Sequence, residues 1–232
     1  WLERAARLVE GLPLGELHGM LAYERANMAL LIEHDPGKAR AIAGAMLAQV
    51  PPELRGDGGV MALLSLEGLA LVAEGEVAEG MRRLDEAATA ATSGEIADAA
   101  LVEIICCHVI DACKRVRDFD RAGEWCRRVE EISARFGDAE LFATCRTFYG
   151  EVLVFSGAWP EAEHALTAVC RDYAGVPHKA LEGMVRLAEL RRRQGRVEEA
   201  EALVAEAERH PRAVVVRAAL ALDRGDARAG LA

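Results

Sequence analysis

A short turn followed by a small residue recurs along this chain roughly every 40 residues, and no other feature constrains the fold as tightly. It reads His34-Asp35-Pro36-Gly37-Lys38-Ala39, then Gly75-Glu76-Val77-Ala78-Glu79-Gly80, then Arg117-Asp118-Phe119-Asp120-Arg121-Ala122. It returns as Gly157-Ala158-Trp159-Pro160-Glu161-Ala162 and as Gly195-Arg196-Val197-Glu198-Glu199-Ala200. Each turn lies between two stretches of helical periodicity, so each is the elbow of a helix pair. A pair cannot hide its apolar face alone; stacking neighbours buries a continuous core. The expectation is all-α: a right-handed α-α superhelix of antiparallel helix hairpins, one helical-repeat domain over 1–232 with about six pairs.

Composition agrees. Hydrophobic residues make up 52% of the chain and aromatics only 5%, which suits tightly packed Ala/Leu/Val helices. No alternating run bounded by hairpin turns signals a strand. A net charge of −10 argues against non-specific nucleic-acid binding, which needs a basic surface. Lys38, Lys114 and Lys179 are the only lysines, so the remaining cations are arginines, suited to fixed-geometry pairing with carboxylates. No apolar run approaches the ~20 residues that span a bilayer. Six cysteines, Cys106, Cys107, Cys113, Cys126, Cys145 and Cys170, fall inside helical patterns. They are expected to be reduced core thiols of a cytoplasmic protein.

Punctuation places the helices. Asp35-Pro36 caps a helix over 37–49, Val50-Pro51-Pro52 stops it, and 55–59 reads as a loop. Helices over 60–74 and 77–92 follow, broken by Gly75, then 96–116 and 119–136, the latter capped by Asp118. Gly137-Asp138 is expected to begin another pair. Trp159-Pro160 opens a helix over 161–173, which Gly175-Val176-Pro177 closes. Helices over 178–194, 197–209 and 213–223 complete the pattern, and Gly225-Asp226 starts one more. The stretch 1–10 reads as the second helix of a pair. With a pair incomplete at each end, the chain is expected to be a piece of a longer protein.

The pattern resembles the tetratricopeptide repeat, in which position 8 of the first helix is small, position 20 is alanine and position 27 is small. Gly68, Gly80 and Ala87 fit that frame, as do Gly150, Ala162 and Val169, and Ala188, Ala200 and Ala207. Positions 8 and 20 are where two helices cross most closely. Leu84, Leu166 and Val204, at position 24, fill the seam one turn later. Asn27 and Ile110 occupy position 8 of the other two hairpins, which are expected to be splayed or shifted. The repeat spacing exceeds the usual 34 residues and resembles the longer repeats of MalT-like regulators.

Several strings resemble the helical region of actinobacterial LuxR-type transcriptional regulators. They include Gly80-Met81-Arg82-Arg83-Leu84-Asp85-Glu86-Ala87, Asp111-Ala112-Cys113-Lys114-Arg115-Val116, Trp125-Cys126-Arg127-Arg128-Val129 and Val185-Arg186-Leu187-Ala188-Glu189-Leu190. Together with Cys145-Arg146-Thr147 through Ala162, the likeness covers most of 60–225. It implies a repeat region attached to a helix-turn-helix DNA-binding domain, sometimes with a nucleotide-binding domain. The Gly37-Lys38 pair lacks the glycine and Ser/Thr of a phosphate-binding loop, so no ATPase is read from it.

Cys106-Cys107-His108 with Cys113 and Cys126 is the densest set of metal-type ligands, yet it has no Cys-x-x-Cys knuckle. Cys106, Cys113 and Cys126 fall on seam positions, so packing accounts for them, and no metal or cofactor is expected. The stronger candidate is the groove lined by positions 2, 5, 9, 12 and 13 of each first helix. In the first repeat these include Glu24 and Met28. The later ones supply Cys107, Asp111, Lys114 and Arg115, then Thr144, Thr147, Glu151 and Phe155, then Glu189, Arg192 and Arg193. Charges of both signs beside two threonines and an aromatic suit a peptide, a protein or a small polar ligand; the alternative is a solvated face closed by its own salt bridges. The basic run Arg191-Arg192-Arg193-Gln194-Gly195-Arg196 lies at a helix C-terminus, where cations offset the macrodipole. His18, His34, His164, His178 and His210 sit near turns and read as surface residues.

No catalytic arrangement stands out. The function expected is a non-catalytic ligand-sensing or protein-interaction module of a LuxR-type regulator, with DNA contacted only through an attached domain and a homodimer allowed by the open ends. The alternative is a free-standing helical enzyme or small-molecule-binding protein using the same groove.

Overall fold

The computed structural model describes residues 1–12, 15–136 and 143–226, and among these every regular element is helical. The helices fall into two compact units, Trp1–Gly137 and Asp138–Ala232. The first contains α1 (Leu2–Val9), α2 (Glu16–Leu31), α3 (Pro36–Leu47), a short 3-10 turn at Pro52–Leu54, α4 (Gly58–Glu74), α5 (Val77–Ser93), α6 (Ala99–Arg115) and α7 (Phe119–Phe136). The second contains α8 (Ala143–Ser156), α9 (Trp159–Asp172), α10 (Pro177–Arg193), α11 (Val197–Glu206) and α12 (Pro211–Asp223). Among the described residues these form five hairpins: α2–α3, α4–α5, α6–α7, α8–α9 and α10–α11. Among the described residues no helix is long and apolar enough to cross a membrane.

The recurring turn has one conformation. Gly75, Gly157, Gly195 and Gly225 take left-handed φ between 74° and 92°, and His34 and Arg117 do so without being glycine, at 56° and 61°. The residue after each donates its backbone N–H back into the preceding helix: Glu76 to Leu71, Asp118 to Cys113, Ala158 to Leu153, Arg196 to Arg191 and Asp226 to Ala221. This closure satisfies carbonyls that the helix end leaves open, and it needs the left-handed residue just before it. The first turn differs. Asp35 N–H reaches Ala29, six residues back instead of five. One extra residue is therefore accommodated there, and α2 is shifted by one position against the sequence frame.

That shift corrects the reading of Asn27. Ala26 takes the place at the crossing and is fully buried, whereas Asn27 is only half-buried. The first hairpin thus keeps a small residue at its seam. At Ile110 the turn is regular, and the isoleucine is fully buried at the crossing opposite Ala122.

The three hairpins expected to fit the frame do so. A Cβ on Gly68 would lie 2.8 Å from the Gly80 carbonyl oxygen, and one on Gly80 would lie 2.6 Å from that of Gly68. Only backbone fits there. The Leu166 side chain fills the space above Gly150, and Leu84, Leu166 and Val204 are all buried. In the second unit, Ala188 and Ala200 join Val185, Val204, Ala207, Val216 and Leu220 in one core cluster.

Several boundaries move for local reasons. α4 starts at Gly58, because the Asp57 carboxylate accepts the Gly59 N–H at 2.9 Å and caps it. Ile96 stays outside α6, whose cap is Asp98, and its buried side chain packs where a Gly58 Cβ would be. Pro177 opens α10 at its first turn instead of merely ending the previous helix, and Pro211 does the same for α12. The pair opening expected at Gly137-Asp138 and the helix expected after Asp226 lie outside the described residues.

Candidate functional site

The first helices of the hairpins carry the groove positions, and the two units treat them differently. In the first unit these helices are α2, α4 and α6. α4 is apolar nearly all round, and its groove-facing Ala62, Ser65, Leu69 and Val72 are buried. A polar set joins α2, α4 and α6 at Ser65. Tyr23 of α2 stacks on His108 of α6, ring centroids 6.1 Å apart, and its hydroxyl lies 3.4 Å from His108 Nε2. His108 Nδ1 lies 2.8 Å from Ser65 Oγ on α4. Ser65 Oγ donates to the Ala62 carbonyl at 2.7 Å, so it accepts from Nδ1–H, which leaves Nε2 to accept from Tyr23. Burial lowers His108 to about 4 against a smaller opposing pull from Asp111. Burial also raises Tyr23, with Glu24 and Cys107 adding to it. Both groups are held neutral.

Of the expected groove residues here, Cys107 is buried and Asp111 pairs with Lys114 at 3.0 Å and Arg115 at 2.8 Å. Burial tends to raise the Asp111 carboxyl, but Lys114 and Arg115 outweigh it and hold it below its usual value. With the corrected register, the α2 positions facing the groove are Tyr23 and Asn27 rather than Glu24 and Met28. Tyr23 escaped sequence reading because of the one-residue insertion at the His34 turn. The polar pairing of Ser65 and His108 had no local signal at all, since 43 residues separate them.

In the second unit, the first helices α8, α10 and α12 present an open, charged face. Glu151 of α8 accepts from Arg186 of α10 at 3.1 Å and from Arg212 of α12 at 3.0 Å. Arg186 also donates to the Glu182 carboxylate, and Glu182 accepts from His210 Nε2 at 2.7 Å. His210 Nδ1 accepts the Arg212 backbone N–H at 3.2 Å, capping α12 and closing the ring. Three helices are tied by one cycle of charge-assisted bonds. Arg186 is its centre, 6% exposed and 5.6 Å from the Phe148 ring. His210, expected at the surface, is instead a half-buried strut. Glu182 stands at position 2 of the frame, a groove position that the sequence reading passed over, and Arg186, at position 6, lies outside the groove positions altogether.

Further along the same face, Glu189 pairs with Arg192 at 2.8 Å and Arg193 at 2.7 Å, and Arg192 reaches Asp223 of α12 at 2.5 Å. Burial would raise the carboxyls of Glu182 and Glu189, yet their arginine partners, and His210 for Glu182, bring both below the usual range. Phe155 is 46% exposed with the Arg193 guanidinium 4.9 Å from its ring. Thr144 is exposed and Thr147 is buried. Thr144, Thr147, Glu151, Phe155, Glu189, Arg192 and Arg193 therefore belong to one unit, separate from Cys107, Asp111, Lys114 and Arg115 in the other.

The remaining candidates resolve into packing and pairing. Cys106, Cys113, Cys126 and Cys145 are buried, and burial pushes the Cys106 and Cys113 thiols up to about 12. Among the described residues, no three His, Cys, Asp or Glu side chains come together as metal ligands. In the basic run, Arg191 pairs with Glu163 and Glu199, Arg192 and Arg193 with Glu189, and Arg196 with Glu163 and Glu199. Its charge is spent within the fold.

No protein-family model and no curated protein matches the chain. Solved structures do. The apo form of RapI superposes with a TM-score of 0.66 at 13% identity, over 99% of this chain and 66% of that one. BtubC (BKLC) from P. vanneervenii gives 0.63 at 19%, over 94% and 87%. A Podosopora anserina kinesin light chain-type protein with nearly identical TPR-like repeats gives 0.60 at 16%, over 82% and 94%. Such likenesses establish the fold: the chain has the helical-hairpin architecture of tetratricopeptide-like repeat proteins.

Proposed function

We propose that this chain is the non-catalytic, ligand-sensing or protein-interaction module of a LuxR-type transcriptional regulator, and that it binds its partner on the groove face of the second unit. The observation that carries this is the open face of α8, α10 and α12, where Phe155, Glu189, Arg192 and Arg193 remain accessible around the buried Arg186–Glu151 pair. Tetratricopeptide-like neighbours and the regulator-like strings support the same reading. A face already balanced in charge favours a ligand that carries both polar and aromatic or aliphatic groups: a peptide, a protein segment or a small polar molecule. Asp111, Lys114 and Arg115 contribute a secondary, mostly self-paired surface, with Cys107 buried beside them. DNA is contacted by an attached helix-turn-helix domain and not by this region.

Thermal-shift screening of the chain against peptides and polar metabolites tests the proposal. A ligand at 100 times its dissociation constant stabilises by about 2.7 kcal/mol. Arg192→Glu abolishes that shift, whereas Arg115→Glu leaves most of it; the reverse pattern moves the site to the first unit. The regulator assignment predicts that the gene encodes a helix-turn-helix domain in the same reading frame.

A further inference from the structure

We infer that the outward face of α12 is a two-fold interface, where a second copy of this chain packs its own α12 antiparallel to the first. The inference is independent of the ligand reading of the groove face, since neither its residues nor its test involve a ligand. Ala213, Val216 and Leu220 point into the core and are buried. On the opposite side of the helix, Val214, Val215, Ala218, Ala221 and Leu222 fall within an arc of about 120° that holds no charged residue. Val214, Val215 and Leu222 are 53%, 66% and 55% exposed, and the two alanines are half-buried. A helix that is apolar on both sides belongs where both sides are covered.

α4 shows what that face does inside the stack. At the same distances from its turn residue it carries Leu64, Ser65, Gly68, Leu71 and Val72, all buried except the half-buried Leu64. α5 closes over Gly68 and Val72 at the Gly80 crossing, and α6 meets Ser65 through His108. The strip on α12 therefore has the make-up of an interior seam, yet its three large side chains stand in solvent.

Two features select a second copy as what covers it. The strip is self-complementary about Ala218. Reversed, it sets Val214 against Leu222 of the partner subunit and Val215 against Ala221 of the partner subunit, with Ala218 on the axis. Bulk at the ends and a small residue at the centre let the two helices approach closely. The charges match in the same orientation. Arg212 near the start of α12 and Asp223 near its end share one flank, and their side chains are 50% and 49% exposed although Glu151 and Arg192 hold them. Antiparallel packing brings each Arg212 to Asp223 of the partner subunit and opposes the two helix dipoles, whereas parallel packing puts arginine on arginine. On the other flank, Arg217 and Arg224 face the cleft shared with Glu201 and Glu208 of α11, so these cations turn away from the seam.

Analytical ultracentrifugation of the intact chain over about 1–200 µM tests the interface. One helix face about 20 Å long is a small contact, so a dissociation constant of about 1–100 µM is expected. Leu222→Glu sets a carboxylate against apolar side chains at an exposed site; it raises that constant at least about tenfold and leaves the helical circular dichroism unchanged. Oxidation of Ala218→Cys links two copies across the axis. Mixed Val214→Cys and Leu222→Cys chains link to each other in preference to themselves. A chain that stays monomeric, a dimer that Leu222→Glu leaves intact, or self-linking of Val214→Cys in preference to the mixed dimer overturns the proposal. A monomer whose Ala218→Cys thiol is shielded from alkylation does so in favour of a further helix of the same chain.

Discussion

α4 and α10 occupy the same place in their units, each a first helix flanked by two others, and they solve the burial problem in opposite ways. α4 is built from Ala, Leu, Val and Gly, with its one interior charge, Glu67, paired to Arg83 of α5. α10 carries Glu182, Arg186, Glu189, Arg191, Arg192 and Arg193 and ties its neighbours with ion pairs. An apolar helix gains by being covered on every side, so its unit closes around it. Charged helices remain stable partly exposed, so theirs keeps an accessible face. One repeat architecture thus yields a sealed body and an open one.

Removing the centre of the charged ring breaks the comparison hardest. Arg186→Met leaves Glu151 and Glu182 without their buried cation and costs the second unit about 4 kcal/mol. Denaturant unfolding followed at Trp159 measures this, while Trp125 reports the first unit unchanged; a loss below ~1 kcal/mol would mean that the ring is only a surface network. Next comes Gly80→Val. With the Gly68 carbonyl oxygen 2.6 Å from the added Cβ, the α4–α5 backbones must part, costing about 3 kcal/mol, read at Trp125.

Acid separates the units more gently. His108 is lowered in the fold, so the unfolded chain binds more protons between about 4 and 6.5. Its stabilising contribution is present above 6.5 and is lost as pH falls, by at most about 1.4 kcal/mol per pH unit. Glu67, raised chiefly by burial, has the opposite sign and offsets part of the loss. Glu182 and Glu189 are lowered, so their contribution survives to below 4.5 before it is lost. Trp125 is expected to respond at higher pH than Trp159, and His108→Gln narrows the gap. The smallest effect is Arg117→Gly, which relieves a left-handed non-glycine and stabilises the first unit by about 0.5–1 kcal/mol, measured by melting temperature.

Much of the fold is legible in the chain. Gly68, Gly80, Gly150 and Ala188 mark close crossings because only small residues permit them, and Asp35 and Asp118 lie where helix ends leave N–H groups open, whereas the caps at Asp57 and Asp98 emerged only in the structure. Asn27 was misread for an identifiable reason: spacing counts residues, while the turn at His34 absorbs one more than its counterparts. The groove was legible as a set of positions. Which of them are open was not, because Ser65 and Leu69 look no different in sequence from groove residues elsewhere until α2 and α6 close over them.

The sequence by itself determined the all-α hairpin repeat, since turn chemistry and helix-crossing sterics act over fewer than about 40 residues and leave a local imprint. Only the tertiary structure decided that Tyr23 meets His108 and that Glu151 holds both Arg186 and Arg212, at separations of 85, 35 and 61 residues. Those contacts depend on how helices of successive repeats are set against one another, and on the protonation that burial then imposes. Neither has a signature in the order of residues along the chain.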